Sequence, residues 1–385
     1  MLTALVEAGV DAEVVRYLKD LYKNQQAYVC LDSSSRSRLI AILRGVRQGD
    51  PMSPILFNNV TRKIFEELKA KWAHKGLGTV VCCSATDKST HAMFTDDTTL
   101  LASSRRAIIS MIRDVRNSLA EHGLNLNMDK CLIQTSCMDV QLQPLDVDGQ
   151  MIPMVSATAG FKILGTQWTL QGRTSAELRS RIAAAWRKFH SLWPMLGKRD
   201  GGLAKKLRVF DSSVTQTALW CNESWLLTVN EKRLLESAQN CMLGKIAGPR
   251  RRPQEEWLDW VTRSTRAARK AAESAGIRMW LQAHLKAKWG WAGHVLRMDP
   301  DRLASRALQW RDSEWWAIEM EVSATLRLHR PHRTRWFRWE DDLRRYAAEH
   351  MSGSWQSEAQ KRNSKGCAQD WKDHCNSFIK FVKKK

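Results

Sequence analysis

Two carboxylates stand side by side at Asp96-Asp97, with Ala92, Met93 and Phe94 before them and Leu100 and Leu101 after. Charges that interrupt an apolar hairpin are costly unless they reach water or a cation. Magnesium suits such a pair, because it prefers hard oxygen ligands and keeps positions open for substrate phosphates. In two-metal phosphoryl transfer, carboxylates of this kind hold ions that activate an attacking hydroxyl and stabilise a leaving pyrophosphate. Taken alone, the pair also fits an ordinary solvated turn. A second feature precedes it: Arg44-Gly45-Val46-Arg47-Gln48-Gly49-Asp50-Pro51-Met52-Ser53-Pro54. Its glycines allow close backbone approach to a ligand, and Arg44 and Arg47 can meet phosphate. Ser53-Pro54 reads as a helix start, with the serine hydroxyl as cap and proline at the first turn.

The elements around these residues follow from periodicity. Val15, Leu18 and Tyr22 share one stripe, which predicts an amphipathic helix over 12–24. Tyr28 to Leu31 and 39–43 read as strands joined by a turn at 33–35. Leu56, Val60, Ile64, Leu68 and Trp72 predict a helix from Ser53 to about His74. Strands are expected at 80–84 and at 92–101, the second broken by the acidic pair. A helix over 105–122 should close at Gly123, followed by short strands near 124–126 and 131–134. Asp148-Gly149 is a two-residue hairpin signal, and 161–164 reads as another strand. From Ser175 onward helical periodicity dominates, with breaks at 248–253 and 331–335.

Composition separates the two halves. Hydrophobic content of 43% and charged content of 26% are ordinary for a globular chain, whereas the net charge of +21 is not. Residues 1–183 hold 22 Lys+Arg against 18 Asp+Glu, net +4, which leaves +17 for residues 184–385. Such an excess calls for a polyanionic partner. Fifteen of the 18 tryptophans follow Trp186, and they should mostly be core with a few at the surface. Basic charge interleaved with flat aromatics suits phosphate contact plus base stacking. The odd cysteine count of nine and its irregular spacing argue for reduced thiols, in the nucleus or cytoplasm. Cys367, His374 and Cys375 are too sparse for a zinc site. No apolar run approaches the roughly 18 residues that a membrane span needs, so no membrane partner is expected.

Residues 44–54, followed by Ile55-Leu56-Phe57-Asn58, resemble a palm motif of the reverse transcriptases of non-LTR (LINE-type) retrotransposons. Three later segments resemble that family's next motifs in order. Residues 94–97 look like its paired-aspartate hairpin, Gly123-Leu124-Asn125-Leu126-Asn127 with Lys130 like the following palm motif, and residues 161–166 like its primer-grip turn. Residues 220–225 and 241–246 are similar to helical thumb segments. Residues 292–298, 333–336 and 341–343 are similar to blocks of the C-terminal region. Group II intron and telomerase-like polymerases share the palm chemistry, but Gly293-His294-Val295 favours the retrotransposon branch.

The resemblance implies an α+β fold. An incomplete reverse-transcriptase palm would occupy residues 1–170, a helical thumb-like region 171–250, and a basic, Trp-rich, mainly helical region 251–385. It implies an RNA-directed DNA polymerase fragment that uses an RNA template, a DNA primer, dNTPs and Mg2+ or Mn2+. Asp96 would be a metal ligand and Asp97 its companion. Lys130 would protonate or contact the departing pyrophosphate. Arg44, Gly45, Arg47, Gln48, Gly49 and Ser53 would surround template and nucleotide, and Leu164 and Gly165 would grip the primer. Thr95 stands where relatives carry a small residue. The family's first metal-bridging aspartate lies on a strand just before the helix read here at 12–24, and the expectation is that these residues contain no counterpart. The metal would then be weakly held and the chain inactive alone. A non-catalytic nucleic-acid binder and a retrotransposon relic are the alternatives. Arg250, Arg251, Arg252, Arg297, Arg333 and Arg335 are expected to meet nucleic acid. His294 is read as packed or phosphate-contacting rather than metal-binding.

Overall fold

Apolar residues at helical spacing bury one face of the longest helix, Ser53–His74, and that face explains the first part of the molecule. The computed structural model describes every residue except 31–34, 44, 81–87, 137–141, 171–173, 199–201, 310–337, 362–368 and 385. Helices are mixed with short two-stranded sheets, and the chain divides into two compact units. One comprises residues 1–135 with 139–155, the other residues 156–385 with 136–138.

The first unit carries helices α1 (Leu2–Glu7), α2 (Ala12–Leu21), α3 (Ser53–His74) and α4 (Arg105–Glu121). Ile64, Phe65, Leu68 and Trp72 of α3 pack on Met111 and Val115 of α4. A smaller cluster joins Leu5, Leu18 and Leu56, so α1 and α2 rest on the start of α3. The Lys63–Glu7 ion pair, at 2.6 Å, adds an exposed tie between α3 and α1. Antiparallel ladders pair β1 (Gln26–Ala27) with β2 (Ile40–Ala41), and β3 (Thr79–Val80) with β4 (Lys88–Ser89). They also pair β5 (His91–Phe94) with β6 (Asp97–Leu100). A parallel bridge joins β7 (Ile133–Gln134) to β10 (Met154–Val155). Between them, β8 (Leu145–Val147) and β9 (Gln150–Ile152) close through Asp148 and Gly149, both at positive φ as the dipeptide demands. Arg113 and Arg116 of α4 both reach the Asp148 carboxylate, which fastens this hairpin to the helix.

Two sequence expectations are corrected here. Residues 124–126 form no strand: Leu124 and Leu126 pack against the α3–α4 core without regular structure. Ser53 does not cap α3. The side chain of Asp50 accepts the Met52 N–H at 2.9 Å and its carbonyl takes the Ser53 N–H at 3.1 Å. The Ser53 hydroxyl is buried, 5% exposed, with no hydrogen-bond partner. The expected strand over 80–84 is described only at its first residue.

The second unit opens with the hairpin β11 (Phe161–Ile163) and β12 (Thr166–Trp168), and its other described elements are helical. Helices α5 (Ser175–Ser191), α6 (Trp193–Leu196), α7 (Leu203–Val209) and α8 (Gln216–Ala218) precede the long pair α9 (Val229–Ala247) and α10 (Trp257–Ser274). Then come α11 (Trp280–Leu296), α12 (Leu303–Gln309), α13 (Asp341–His350), α14 (Trp355–Gln360), α15 (Gln369–Asp373) and α16 (Cys375–Lys384). Helix α11 is buried on several sides. Its first residue, Trp280, lies in a core with Phe189, Phe210, Leu235 and Met242. Residues further along join Tyr346, Trp355, Trp371 and Phe378. The Trp289 and Trp371 rings stack at 3.8 Å, and each indole N–H donates to the other's carbonyl. Gly293, one turn on, leaves room for this pair: a Cβ there would sit 2.6 Å from the Trp371 indole nitrogen. Of the 11 described tryptophans that follow Trp186, five are buried, three partly buried and three exposed, so fewer are core than expected. Among the described residues no helix is long and apolar enough to cross a membrane.

Helix α11 also buries charge. Lys288, 1% exposed, reaches Asp342 of α13 at 3.4 Å and lies over the Trp339 ring. Lys232 of α9 approaches the same carboxylate oxygen at 3.9 Å, and Arg345 takes the other at 2.7 Å. Burial alone would raise the Asp342 carboxyl, but the cations around it hold it below the ordinary carboxylate range. A depressed carboxyl contributes stability that is present above the unfolded value near 3.9 and lost as pH falls through the folded one. Asp342→Asn should therefore cost about 3 kcal/mol at neutral pH, since it strands the buried Lys288 ammonium. Urea unfolding checks this, and the loss should shrink in acid.

Candidate functional site

Strand alternation decides where the acidic pair points. In the β5–β6 hairpin, Phe94 faces Asp97 and Met93 faces Thr98. Cross-strand partners share a face and neighbours alternate. Met93 and Leu100 therefore turn into the α3–α4 core. Phe94, 61% exposed, shares the outer face with Asp97. Asp96 sits in the two-residue turn, and both carboxylates are exposed. The turn forces Thr95 to φ +52°, a conformation that a β-branched residue rarely adopts. Its hydroxyl donates to the Phe94 carbonyl at 2.7 Å.

The base of the hairpin is held by side chains that sequence reading did not single out. His91 packs against Phe65 and Trp72, with ring centroids 4.8 and 6.0 Å away. Burial lowers its pKa. The Trp72 indole donates to Asp114 of α4 at 3.0 Å, and Lys71 donates to the other oxygen at 2.6 Å. Burial raises the Asp114 carboxyl and these bonds outweigh it, so it lies below its usual range. Asp114 therefore joins α3 to α4, and Trp72, which it holds, packs on His91 at the base of the hairpin.

The residues 45–50 loop is anchored by Val46, which packs on the Leu5, Leu18 and Leu56 cluster. Gly45 and Gly49 take φ of +93° and +91°, and Arg47 and Gln48 between them are exposed. Arg44 lies outside the described residues. Lys130 is exposed in the short turn Met128–Lys130. All these residues belong to the first unit.

The expected primer-grip residues belong to the second unit. Leu164 and Gly165 form the β11–β12 turn, both at positive φ, +50° and +77°. Buried Glu177 of α5 accepts the Gln167 backbone N–H and, at 2.5 Å, Arg181 Nε. The Trp220 indole donates to the Leu164 carbonyl at 3.2 Å. Sequence reading missed all three holders, although Glu177 and Arg181 stand at the i,i+4 spacing of a helical ion pair.

Of the expected nucleic-acid contacts, Arg250, Arg251, Arg252 and His294 are exposed. Arg297 is partly buried and donates to the Ala359 carbonyl at 2.8 Å, so it braces the fold. Arg333 and Arg335 lie outside the described residues. Two consecutive carboxylates match the hard-oxygen chemistry of a divalent cation in kind but not in number. Among the described residues no group of three or more His, Cys, Asp or Glu is placed to hold a metal.

Part of the chain is similar to known proteins. Residues 10–168 match the family model described as reverse transcriptase (RNA-dependent DNA polymerase). Over 172 residues the chain is 30% identical to the retrovirus-related Pol polyprotein from type-2 retrotransposable element R2DM of Drosophila melanogaster; this covers 43% of the chain and 15% of that protein. It is 27% identical over 175 residues to the Pol polyprotein from type-1 retrotransposable element R2 of Popillia japonica, covering 44% and 24%. It is 26% identical over 210 residues to the corresponding Nasonia vitripennis polyprotein, covering 51% and 20%. The chain thus matches less than a quarter of the length of these relatives.

Replacing Glu177 with alanine should leave the Gln167 N–H and Arg181 without their shared acceptor, at about 2 kcal/mol. Hydrogen exchange at the Gln167 amide should accelerate roughly 30-fold, while amides in α9 stay protected.

Proposed function

We propose, from the premise that residues 10–168 form a reverse transcriptase domain of the non-LTR retrotransposon kind, that this chain is part of an RNA-directed DNA polymerase whose acidic pair is Asp96-Asp97. The observation that carries the reading is that one family match spans both the residues 44–54 loop and the acidic hairpin. In this reading the substrates are dNTPs, an RNA template and a DNA primer.

Asp96 and Asp97 would hold Mg2+ or Mn2+, which when bound supplies charge stabilisation to the transferring phosphate. The remaining roles fall to the chain's own residues. Arg47 and Gln48, held outward by the Val46 anchor, contact the incoming nucleotide and template. Gly45 and Gly49 keep the backbone close to them. Ser53 lies at the start of α3 with its hydroxyl buried, so it would shape this loop rather than meet the nucleotide directly. Lys130 meets the pyrophosphate as it leaves. Within the second unit, the Leu164-Gly165 turn is the primer contact.

Two adjacent carboxylates do not supply the bridging anion that keeps two like-charged ions together. Loss of one member of a catalytic group that acts as a unit costs orders of magnitude in rate. The reading is therefore that these 385 residues alone bind metal weakly and are not a competent polymerase. The net +17 of residues 184–385 favours a second activity that needs no metal: binding of nucleic acid through phosphate.

Two measurements test this. The purified chain, given primer, RNA template, dNTPs and Mg2+, should extend no more primer than its Asp96→Asn variant. Extension above that control would overturn the claim of incompetence. Its affinity for RNA or DNA should fall at least about tenfold between about 50 and 200 mM salt. Salt-insensitive binding would count against the phosphate contacts.

A further inference from the structure

The segment between α9 and α10 carries Arg250, Arg251 and Arg252, all exposed. It is held in one shape from below. The Glu255 carboxylate accepts Arg263 Nε and Nη2, each at 2.7 Å, and the Arg252 backbone N–H at 2.9 Å. Arg263 also donates to the Arg250 carbonyl at 3.0 Å, and Arg251 Nε donates to the Glu255 carbonyl at 2.8 Å. The Trp260 indole turns back to the Pro249 carbonyl at 2.9 Å.

Two consequences follow. The bond from Arg263, before any other cause, pulls the Glu255 carboxyl down to about 2. Glu255 is therefore ionised and held chiefly by Arg263, with the Arg252 charge acting on it more weakly. With Trp260 folded under the segment, its neighbours at the start of α10 face outward. Trp257 is 59% exposed, the most of any described tryptophan, and Leu258 is 71% exposed. Four described tryptophans are exposed, and Trp257 is the one that follows closely on Arg250–Arg252 in the chain.

We propose that Arg250, Arg252 and Trp257 form a binding site for single-stranded nucleic acid, the indole stacking on an unpaired base and the two guanidinium groups meeting the flanking phosphates. This rests on the reading that the basic half binds nucleic acid, and adds which strand form it takes and where. Only an unpaired base offers its face to a side chain, and stacking of this kind tolerates any base. Glu256 and Asp259 are also exposed near Trp257. They would repel a phosphate on the helix side and leave the arginine side as the path for the backbone. The same two acids disfavour an anionic lipid surface, which would have to cover both.

The test is a fluorescence-anisotropy titration of the full chain with a labelled single-stranded RNA and with its duplex, at several salt concentrations. Trp257→Ala should weaken single-strand binding roughly 5- to 100-fold at every salt concentration, leave duplex binding unchanged, and be largely rescued by Trp257→Phe. The Arg250→Gln, Arg252→Gln double variant should instead reduce the slope of log affinity against log salt by about 1.4. A wild-type chain that binds single strands while Trp257→Ala binds them equally well, or loses duplex binding to the same extent, overturns this site alone. A wild-type chain that binds neither form overturns the nucleic-acid reading itself, and this inference with it.

Discussion

Two negative charges on consecutive residues repel each other, and a hairpin tip that carries them gains nothing from the core. Asp96 and Asp97 are kept in place by what lies beneath. The pleat turns Met93 and Leu100 inward so that Asp97 must face out. The Trp72–Asp114 bond fixes the two helices on which those residues rest. Thr95 adopts a left-handed backbone rather than letting the turn relax. Strain and paired charge of this sort persist where the surrounding structure over-determines them, and they concentrate at functional sites. A cation is the natural complement of such a tip, and a third anion is what a cation pair would still lack.

The second unit solves a different problem, that of burying many large aromatics while remaining strongly basic. Helix α11 does both. Its Trp289 locks onto Trp371 through stacking and two reciprocal hydrogen bonds. Its Lys288 is taken out of water altogether against Asp342 and the Trp339 ring. Next to Lys288, His284 is held neutral, since burial before all else drives its pKa down to about 3. Positive charge that is not needed for packing stays on loops such as residues 250–252, where it can meet phosphate.

Local rules made much of this legible in the sequence. Asp148-Gly149 demanded a two-residue turn and formed one, Gly123 closed α4, and the apolar stretch broken by the acidic pair formed a hairpin. Each depends on only a few neighbouring residues. The misreadings share a cause as well. Ser53 had the composition of a cap, but Asp50 reached the helix start first. Leu124 and Leu126 alternate like a strand, yet they pair with no strand among the described residues and pack on the α3–α4 core. What stayed hidden was non-local. Asp114 under the acidic hairpin, Trp220 on the Leu164 carbonyl and the buried Lys288 each depend on a partner far along the chain, and a lysine in isolation reads as surface.

Asp96 and Asp97 form the anionic corner of the cation site proposed above, and the rest of the reading hangs on that role. It is tested most directly by titrating the chain with Mn2+ and following the free ion by electron paramagnetic resonance, beside an Asp96→Asn, Asp97→Asn double variant. Weak binding is expected in the parent chain and should disappear in the double variant while the fold is kept. Equal Mn2+ uptake by both proteins would contradict it.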